Sequence, residues 1–246
     1  MKIKWTVLIG FSLSLSAACS FAANAKLESF SDDFSNASTI KEWKVHNRDH
    51  LKTFEVQDGK LVMEPNAKVS RIAWYMDDTG PLVYKQISGD FLAEIKLKVG
   101  SMKEPNRAPY GSFNSGGFVV RDPASKDGDQ DWVMYNFGQQ YMGFGREAKT
   151  TEGSDSVLSI YDAPAEHNSG KLRVCRIGST FYLYHWMENE SGWDAEDAAE
   201  KFEREDLPKT VDVGMIINAS GTPKETRAEF DYIKFTEVAS RADCTK

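Results

Sequence analysis

The sequence of 246 residues lacks an excess of basic residues. It contains 30 Lys and Arg against 37 Asp and Glu, so its formal charge is −7. Nucleic acid binding needs clustered Lys and Arg, and this balance argues against nucleic acid as a partner. Hydrophobic residues make up 41% and charged residues 27%. This ordinary globular mix excludes a disordered polyelectrolyte and a multi-span membrane protein.

Several motifs and patterns are also missing. The sequence has no Gly-x-Ser-x-Gly elbow and no Gly-Lys-Ser/Thr phosphate loop, which argues against standard serine hydrolases and nucleotide-binding proteins. No linker rich in Pro, Ser or Gly divides the chain, and no internal repeat is evident. We therefore assign one domain to residues 26–246. Helical periodicity is almost absent, and only Ala195–Phe202 favours a short helix.

A long apolar stretch occurs only at the N-terminus. Lys2 and Lys4 precede the apolar residues 5–18, and Ala23-Asn24-Ala25 matches an A-x-A cleavage signal. We interpret residues 1–25 as a secretory signal peptide and expect a periplasmic or extracellular mature protein. The stretch is shorter than the about 20 apolar residues of a bilayer span, so no membrane span remains after cleavage. Lipidation at Cys19 is the alternative, although Ser16 stands where a lipobox has Leu.

Removal of the first 25 residues leaves two cysteines, Cys175 and Cys244. An even number of cysteines in an exported chain predicts a disulfide between them. Two free thiols are the alternative, because only geometry decides pairing.

The remaining chain shows short alternating runs separated by turn residues, a pattern typical of a β-sandwich or barrel. Asp58-Gly59 predicts a hairpin turn between Phe54–Val56 and Leu61–Met63. Phe91–Val99 alternates, so one of its faces is predicted to be core and the other to meet solvent or ligand. The further predicted strands are Phe118–Arg121, Trp132–Phe137, Met142–Phe144, Val157–Tyr161, Lys171–Ile177, Thr180–Trp186, Val211–Ile217 and Ala228–Phe235.

A tight turn at Gly178-Ser179 predicts a register, because a two-residue turn with Gly first fixes the pairing. Cys175 then faces Tyr182, and Arg173 faces Tyr184. The predicted core face carries Leu172, Val174, Phe181 and Leu183. The opposite face carries an aromatic stripe of Tyr182, Tyr184 and Trp186. Such a stripe suits sugar rings, whereas ordinary packing is the alternative. The tail with Cys244 would have to cross this same face.

The order of the motifs is informative beyond each motif alone. They are Asp58-Gly59-Lys60-Leu61, Gly89-Asp90-Phe91, Gly116-Gly117-Phe118-Val119-Val120-Arg121, Leu172-Arg173-Val174-Cys175-Arg176, Phe181-Tyr182, Val213-Gly214-Met215 and Phe230-Asp231-Tyr232. Over roughly residues 28–238 the series resembles the concanavalin A-like lectin/glucanase superfamily, specifically the laminin-G-like jelly rolls of secreted bacterial proteins. The resemblance implies an all-β, two-sheet antiparallel jelly-roll β-sandwich with ligands on or beside a concave face. The superfamily includes lectins, carbohydrate-binding modules, glycoside hydrolases and polysaccharide lyases, so the fold does not select an activity.

The laminarinase-like branch carries Glu-x-Asp-x-x-Glu on one strand. The nearest match here is Glu229-Phe230-Asp231-Tyr232-Ile233-Lys234, in which Lys234 replaces the final Glu. This departure removes the expected acid. We therefore assign the segment a structural role.

Polar and aromatic residues cluster on strands that are predicted to be neighbours. Arg121 and Asn136 are suited to bind sugar hydroxyls or a uronate, whereas pairing of Arg121 with Asp122 or Glu147 is the alternative. Trp74 and Tyr75, between Arg71 and Asp77, add an aromatic candidate. The predicted ligand-binding residues are Arg121, Asp131, Trp132, Tyr135, Asn136, Glu147, Arg173, Tyr184, Trp186 and Trp74.

Three alternating carboxylates at Asp127, Asp129 and Asp131 begin like a calcium loop. The loop pattern then fails, since Trp132 and Gly138 stand where Gly and Glu are required. A solvated acidic turn is the preferred interpretation and no cofactor is expected, with calcium binding as the alternative.

These features lead us to expect an exported jelly-roll domain that binds a glycan on a concave aromatic and polar face. One alternative is a glycoside hydrolase or polysaccharide lyase whose catalytic set is unrecognised and draws on Glu94, Asp131, Glu147 or Tyr135. An envelope scaffold or protein-interaction domain is a further alternative. An enzyme should bring two or more titratable groups together in a groove.

Overall fold

The computed structural model describes residues 27–188, 190–195 and 201–246. The predicted signal peptide and Cys19 lie outside these residues. Within them, no helix has both the length and the apolar character needed to cross a membrane. Three short 3-10 helices occupy Ala37–Glu42, Arg48–His50 and Arg241–Asp243. The strands are β1 (Lys44–His46), β2 (Leu51–Gln57), β3 (Lys60–Pro65), β4 (Leu82–Ser88), β5 (Phe91–Ser101), β6 (Asn114–Arg121), β7 (Trp132–Gln139), β8 (Phe144–Glu152), β9 (Asp155–Asp162), β10 (Ser169–Ile177), β11 (Thr180–Met187), β12 (Asp194–Ala195), β13 (Lys201–Glu203), β14 (Thr210–Ala219) and β15 (Thr226–Thr236).

The strands form two antiparallel sheets, which confirms the predicted all-β sandwich. The first sheet has the order β1-β4-β14-β6-β7-β8-β9. The second has the order β12-β11-β10-β5-β15-β3-β2, and β13 also pairs with β11. Neighbours in both sheets run antiparallel.

Two hairpins follow directly from their turn residues. Asp58 and Gly59 have positive φ values of 50° and 72°, the conformation that a two-residue turn requires, and Gln57 pairs with Lys60. In the β10–β11 hairpin Cys175 faces Tyr182 and Arg173 faces Tyr184. Both predicted hairpins, including the register of the second, are confirmed.

The core lies between the sheets and follows the alternation of the strands. Phe91, Ala93, Ile95, Leu97 and Val99 of β5 all face it. The predicted core set of the β10–β11 hairpin lies there as well. Burial of each large apolar side chain stabilises the fold by about 1.5–3 kcal/mol. The fully buried aromatic rings of this core are those of Phe34, Phe91, Phe118, Tyr135, Phe137, Phe181, Phe230 and Phe235.

Two predicted elements are wrong in place or type. The predicted strand Met142–Phe144 is displaced, since the strand in this region, β8, begins only at Phe144. Gly145 instead lies inside β8, where a Cβ would stand 2.2 Å from the carbonyl oxygen of Tyr161 on β9, so the close strand pairing requires glycine.

The predicted helix over Ala195–Phe202 is wrong at both of its ends. Residues 194–195 and 201–203 are strands that pair with β11, while residues 196–200 lie outside the described chain. The free edge of β11 offers backbone hydrogen bonds, and these outweigh a weak local helix preference.

Two segments lie across the outer faces of the sheets, away from the core. We call residues 66–81, between β3 and β4, the strap, and residues 237–246, after β15, the tail. The strap covers part of the first sheet, and the tail covers part of the second. The tail is fastened by a disulfide between Cys175 and Cys244, with a Cα–Cα distance of 5.8 Å. The predicted disulfide is confirmed.

Candidate functional site

The predicted polar cluster lies on adjacent strands of the first sheet, as expected. Arg121 of β6 pairs with Trp132 of β7, and Asn136 of β7 pairs with Glu147 of β8. Because side chains alternate along a strand, these four project from the outer face. This face is where the strap crosses the sheet.

The strap is fixed to the sheet by a buried tryptophan and by polar side chains. The Trp74 ring is 1% exposed and packs edge-on against Trp132, with ring centroids 5.3 Å apart. The Trp74 backbone N–H donates to Asn218 Oδ1 at 2.8 Å. Lys149 Nζ donates to the Trp74 carbonyl oxygen at 2.7 Å. The Trp74 backbone is therefore held on both its N–H and its C=O side.

Beyond Trp74 the strap reaches the edge of the sheet. Thr151 Oγ1 donates to the Tyr75 carbonyl oxygen at 3.3 Å, and Ser156 Oγ donates to the same oxygen. Asp78 then returns to the other side of the face, where it contacts His46 Nε2 and Arg121 Nη2, each at 3.0 Å. The hydrogen bond from His46, together with the positive charge of Arg121, lowers the pKa of Asp78 although burial opposes this.

A cleft of about 370 Å³ lies between the strap and the edge strand β9. Its floor is formed by Glu147 and Lys149 of β8. Its walls are mainly apolar or aromatic and come from four separate parts of the chain. The lining residues are Arg71, Ala73, Trp74, Tyr75, Phe113, Glu147, Lys149, Leu158, Ile160, Asn218 and Ser220.

The floor of the cleft is a buried ion pair. Lys149 Nζ lies 2.8 Å from Glu147 Oε1, and the two side chains are 3% and 2% exposed. Asn136 Nδ2 donates to Glu147 Oε2 at 3.1 Å, and Gln140 Nε2 donates to Asn136 Oδ1 at 3.0 Å. This network fixes the Glu147 side chain. Among the described residues that line the cleft, Glu147 is the only carboxylate.

The groups at the rim of the cleft are exposed. Arg71 and Asp77 form an ion pair at 3.0 Å, with 48% and 39% of their side chains exposed. Phe113, another lining residue, stacks on Tyr141 with ring centroids 6.3 Å apart and an interplanar angle of 26°. Tyr141 is 68% exposed. An aromatic surface therefore continues from the cleft out to solvent.

The predicted residues of the first sheet fall into different environments. Trp74 and Glu147 line the cleft, and Trp132 and Asn136 support those two from beneath. Tyr135 faces the opposite way and is fully buried in the core between the sheets.

Arg121 and Asp131 are engaged within the protein. Arg121 donates to Asp78, to Gln130 Oε1 and to the Ser125 carbonyl oxygen. Asp131 Oδ1 accepts from the Gly153 backbone N–H at 2.9 Å and lies 3.4 Å from Arg204 Nη2. Both residues lie outside the set that lines the cleft.

The predicted aromatic stripe lies on the outer face of the second sheet, under the tail. Tyr184 is 3% exposed and packs with Val238 and the two cysteines. Trp186 packs edge-on against Trp193, with ring centroids 5.7 Å apart. The register was predicted correctly, but the tail and Trp193 cover much of this face.

Arg173, the predicted polar neighbour of the stripe, is also covered. Its Nε donates to Glu94 Oε2 at 2.8 Å, and its Nη1 donates to the Cys244 carbonyl oxygen at 3.0 Å. The guanidinium lies 3.7 Å from the ring centroid of Trp193. Tyr232 Oη donates to the other oxygen of Glu94. Burial and the neighbouring Glu94 raise the pKa of Tyr232.

The carboxylates of the incomplete hydrolase motif are paired within the second sheet. Glu229 Oε1 lies 2.7 Å from Arg227 Nε. Asp231 forms ion pairs with Lys60 and Lys96, while Phe230 between them lies in the core. These contacts agree with the structural role assigned to the segment.

The acidic turn carries a local ion pair. Asp129 lies 3.8 Å from Lys126 Nζ, whereas Asp131 faces Arg204. Within the described ranges, no group of three or more His, Cys, Asp and Glu side chains is arranged to hold a metal ion.

Sequence reasoning missed most of the cleft. Lys149 was recoverable, since it follows Glu147 by two positions and therefore shares its face in a strand. Phe113, Asn218 and Ser220 belong to different elements that only the folded chain brings together. Leu158 and Ile160 lie on a correctly predicted strand, but its place at the edge of the sheet carries no signal in the sequence.

No protein family model matches the chain, and no curated protein matches it in sequence. Solved structures do resemble it. A functionally unknown protein from Saccharomyces cerevisiae has a TM-score of 0.60 at 15% identity, covering 82% of this chain and 99% of that one. A xylan beta-1,4-xylosidase from Bacillus halodurans has a TM-score of 0.61 at 17% identity, covering 84% of this chain and 39% of that one. The chain thus spans about two fifths of the xylosidase.

The seed lectin of Lotus tetragonolobus has a TM-score of 0.51 at 10% identity, covering 81% of this chain and 93% of the lectin. At such low identities these likenesses concern the fold alone. They confirm the predicted concanavalin A-like jelly roll.

Proposed function

We propose that this chain is an exported domain that binds a glycan in the cleft between the strap and β9. The observation that carries the proposal is the combination of ring-bearing walls with a fixed polar floor. Tyr75 and Phe113 supply flat faces for the C–H groups of a sugar ring. Glu147, Lys149 and Asn218 supply polar groups that orient a ligand in an otherwise apolar site.

The ligand class rests on the walls of the cleft and on the fold. The structural neighbours include a seed lectin and a xylan beta-1,4-xylosidase, so the same fold serves carbohydrate proteins elsewhere. This analogy supports a glycan as the ligand without identifying it.

Binding is favoured over hydrolysis because the cleft offers one carboxylate. Glycoside hydrolases generally use two carboxyl groups that flank the scissile bond, about 5–10 Å apart. Glu147 is the single carboxylate among the described lining residues, and it is paired with Lys149. Glu94, Asp131 and Tyr135 of the alternative catalytic set lie elsewhere. The cleft therefore supports a binding site better than a hydrolytic one.

Export rests on two observations. The N-terminal residues match a cleavable signal peptide, and Cys175 and Cys244 form a disulfide. Disulfides persist mainly in oxidising compartments such as the periplasm and the extracellular space. Both observations support a periplasmic or extracellular protein.

The test is a screen of the chain from Lys26 onward against cellulose, xylan, laminarin, alginate and polygalacturonate. Bound protein is measured together with released reducing ends and unsaturated ends. Retention without product is the expected result. Product release would replace the proposal with a hydrolase or lyase, and no retention on any polysaccharide by the folded protein would contradict it.

A pair of variants on β9 shows whether the ligand occupies the cleft. Leu158 lines the cleft, whereas Val157 points to the opposite face of the same strand and is 69% exposed. We expect Leu158→Ala to weaken retention several-fold and Val157→Ala to leave it unchanged. Equal retention by both variants would place the ligand elsewhere.

A further inference from the structure

The strap closes one end of the cleft with backbone. Along β8 and β9, successive outward-facing pairs are Thr151 with Ser156, Lys149 with Leu158, and Glu147 with Ile160. The second and third pairs line the cleft. The first pair is occupied by the strap, since both of its hydroxyl groups donate to the Tyr75 carbonyl oxygen. A glycan chain cannot continue along the sheet past this point while the strap is in place.

The strap is held firmly enough to act as a fixed wall. Trp74 is buried against Trp132. Lys149 Nζ, itself 3% exposed, donates to the Trp74 carbonyl oxygen. On the other side of the strap, Ala219 N–H donates to the Ile72 carbonyl oxygen at 2.8 Å. Opening the strap would leave buried polar groups without their hydrogen-bond partners, which costs free energy.

Away from the pair of Thr151 and Ser156, the lining includes the side chains of Phe113 and Ile160. Phe113 stacks on Tyr141, whose ring is 68% exposed beyond the cleft. Met142, the next residue in the β7–β8 turn, is 82% exposed. Aromatic rings thus lead outward from the cleft past Phe113 and Tyr141.

From this asymmetry we infer that the cleft receives the terminal unit of a glycan chain, with the following units leaving past Phe113 and Tyr141. The inference rests on the proposed function and narrows it to recognition of chain ends. An internal stretch of polysaccharide would need a cleft open at both ends. The volume of about 370 Å³ lies near the lower end of ordinary small-ligand sites, which suits one or two sugar units.

The test uses cello-, xylo-, laminari-, alginate and galacturonate oligosaccharides of increasing length, from the monosaccharide to the hexasaccharide. Calorimetry gives the affinity and the number of protein molecules bound per glycan chain. We expect one protein per chain at every length, with affinity that rises over the first few units and then levels off. Competition by the monosaccharide against the parent polysaccharide is expected as well.

Other outcomes separate the inference from the proposed function. If the number of bound proteins rises with chain length and the monosaccharide fails to compete, the site recognises internal units, so the inference fails while glycan binding stands. If no ladder binds, the proposed function fails and the inference fails with it.

A variant in the exit path adds an independent readout. We expect Tyr141→Ala to lower affinity for the trisaccharide and longer chains several-fold and to leave the monosaccharide affinity unchanged. Met142→Ala, in the same turn, is the matched control and should change neither. Loss of monosaccharide affinity equal to that of the longer chains, or no loss at any length, would overturn the proposed exit path.

Discussion

The two outer faces of the sandwich carry similar side chains but differ in what remains accessible. On the first sheet, Trp74 from the strap packs on Trp132, and a cleft remains beside it. On the second sheet, the tail packs on Tyr184 and is fastened through Cys175. Aromatic residues on a strand therefore do not by themselves mark a site. The segments that cross each face determine which rings a ligand can reach.

Both covering segments are held by the same kind of contact, in which a buried cation pairs with a carboxylate and donates to a backbone carbonyl oxygen of the segment. On the first sheet a buried cation, Lys149, pairs with Glu147 and donates to the Trp74 carbonyl oxygen of the strap. On the second, Arg173 pairs with Glu94 and donates to the carbonyl oxygen of Cys244. The difference is the covalent bond, which only the tail has among the described residues.

The largest effect is expected from removing that covalent bond. The Cys175→Ser/Cys244→Ser double variant frees a loop whose ends are 69 residues apart, which should cost about 4 kcal/mol of unfolding free energy in the chain-entropy description. Urea unfolding with and without reductant measures the loss. Glycan retention should persist in the folded variant, because the cleft lies on the other sheet. An unchanged unfolding midpoint would contradict the stabilising role of the tail.

The next largest effect is expected at the floor of the cleft. Lys149→Met leaves Glu147 buried without its cation and removes a donor to the strap, so we expect a loss of about 3 kcal/mol. The Glu147→Leu/Lys149→Met double variant should recover part of that loss, since it removes the unpaired charge. Chemical unfolding of the three proteins gives the values. A double variant less stable than Lys149→Met would show that the pair is not coupled in this way.

The corresponding change on the second sheet should cost less. In Arg173→Met, Glu94 keeps the hydrogen bond from Tyr232 and is 13% exposed, and the disulfide still holds the tail. We expect a loss of about 2 kcal/mol, near the cost of one hydrogen bond to a charged group. Chemical unfolding of Arg173→Met and Lys149→Met under the same conditions shows which variant loses more unfolding free energy. A larger loss of unfolding free energy in Arg173→Met than in Lys149→Met would contradict the expected difference between the two faces.

A smaller effect is expected from Trp193→Ala. Trp193 contacts Trp186 and the Arg173 guanidinium, and aromatic and cation–π contacts of this kind contribute about 1 kcal/mol. Thermal unfolding measures the change. Retention on the glycan should stay at the wild-type level, and a several-fold drop would assign a ligand to the covered face.

The smallest effect is expected in the pH dependence of folding stability, through Asp78 of the strap. The hydrogen bond from His46 lowers the pKa of Asp78 in the folded protein. The folded state is therefore favoured above the unfolded-state pKa of about 4, and this contribution is lost as the pH falls through the lower folded value. Asp78→Asn should reduce the acid-induced loss of stability below about pH 4. Unfolding curves from neutral to acidic pH, with the exposed Asp127→Asn as control, should differ only for Asp78→Asn.

The fold was more predictable than the site because its signals are local. Asp58-Gly59 and Gly178-Ser179 define their turns and registers through backbone preferences of neighbouring residues. Alternation alone also separates Tyr135 from Trp132 and Asn136, so its inclusion with them was an avoidable error. The disulfide followed from the even number of cysteines that remain after the predicted signal peptide.

The cleft was less predictable because it depends on the path of the strap. Nothing in residues 66–81 indicates that Trp74 lies on Trp132 or that Tyr75 reaches Ser156. Phe113 and Asn218 reach the cleft from β-strand ends far apart in sequence. Such contacts arise from the packing of the whole chain, which periodicity does not encode.

The most direct test of the difference between the two faces uses the indole N–H signals of tryptophan in NMR spectra. Trp74 reports on the cleft, whereas Trp186 and Trp193 report on the covered face, and Trp→Phe variants assign each signal. The polysaccharide fragment that binds in the screen is titrated into the labelled protein. We expect the Trp74 signal to shift and those of Trp186 and Trp193 to stay in place. Shifts confined to Trp186 and Trp193 would contradict the assignment of the site to the cleft.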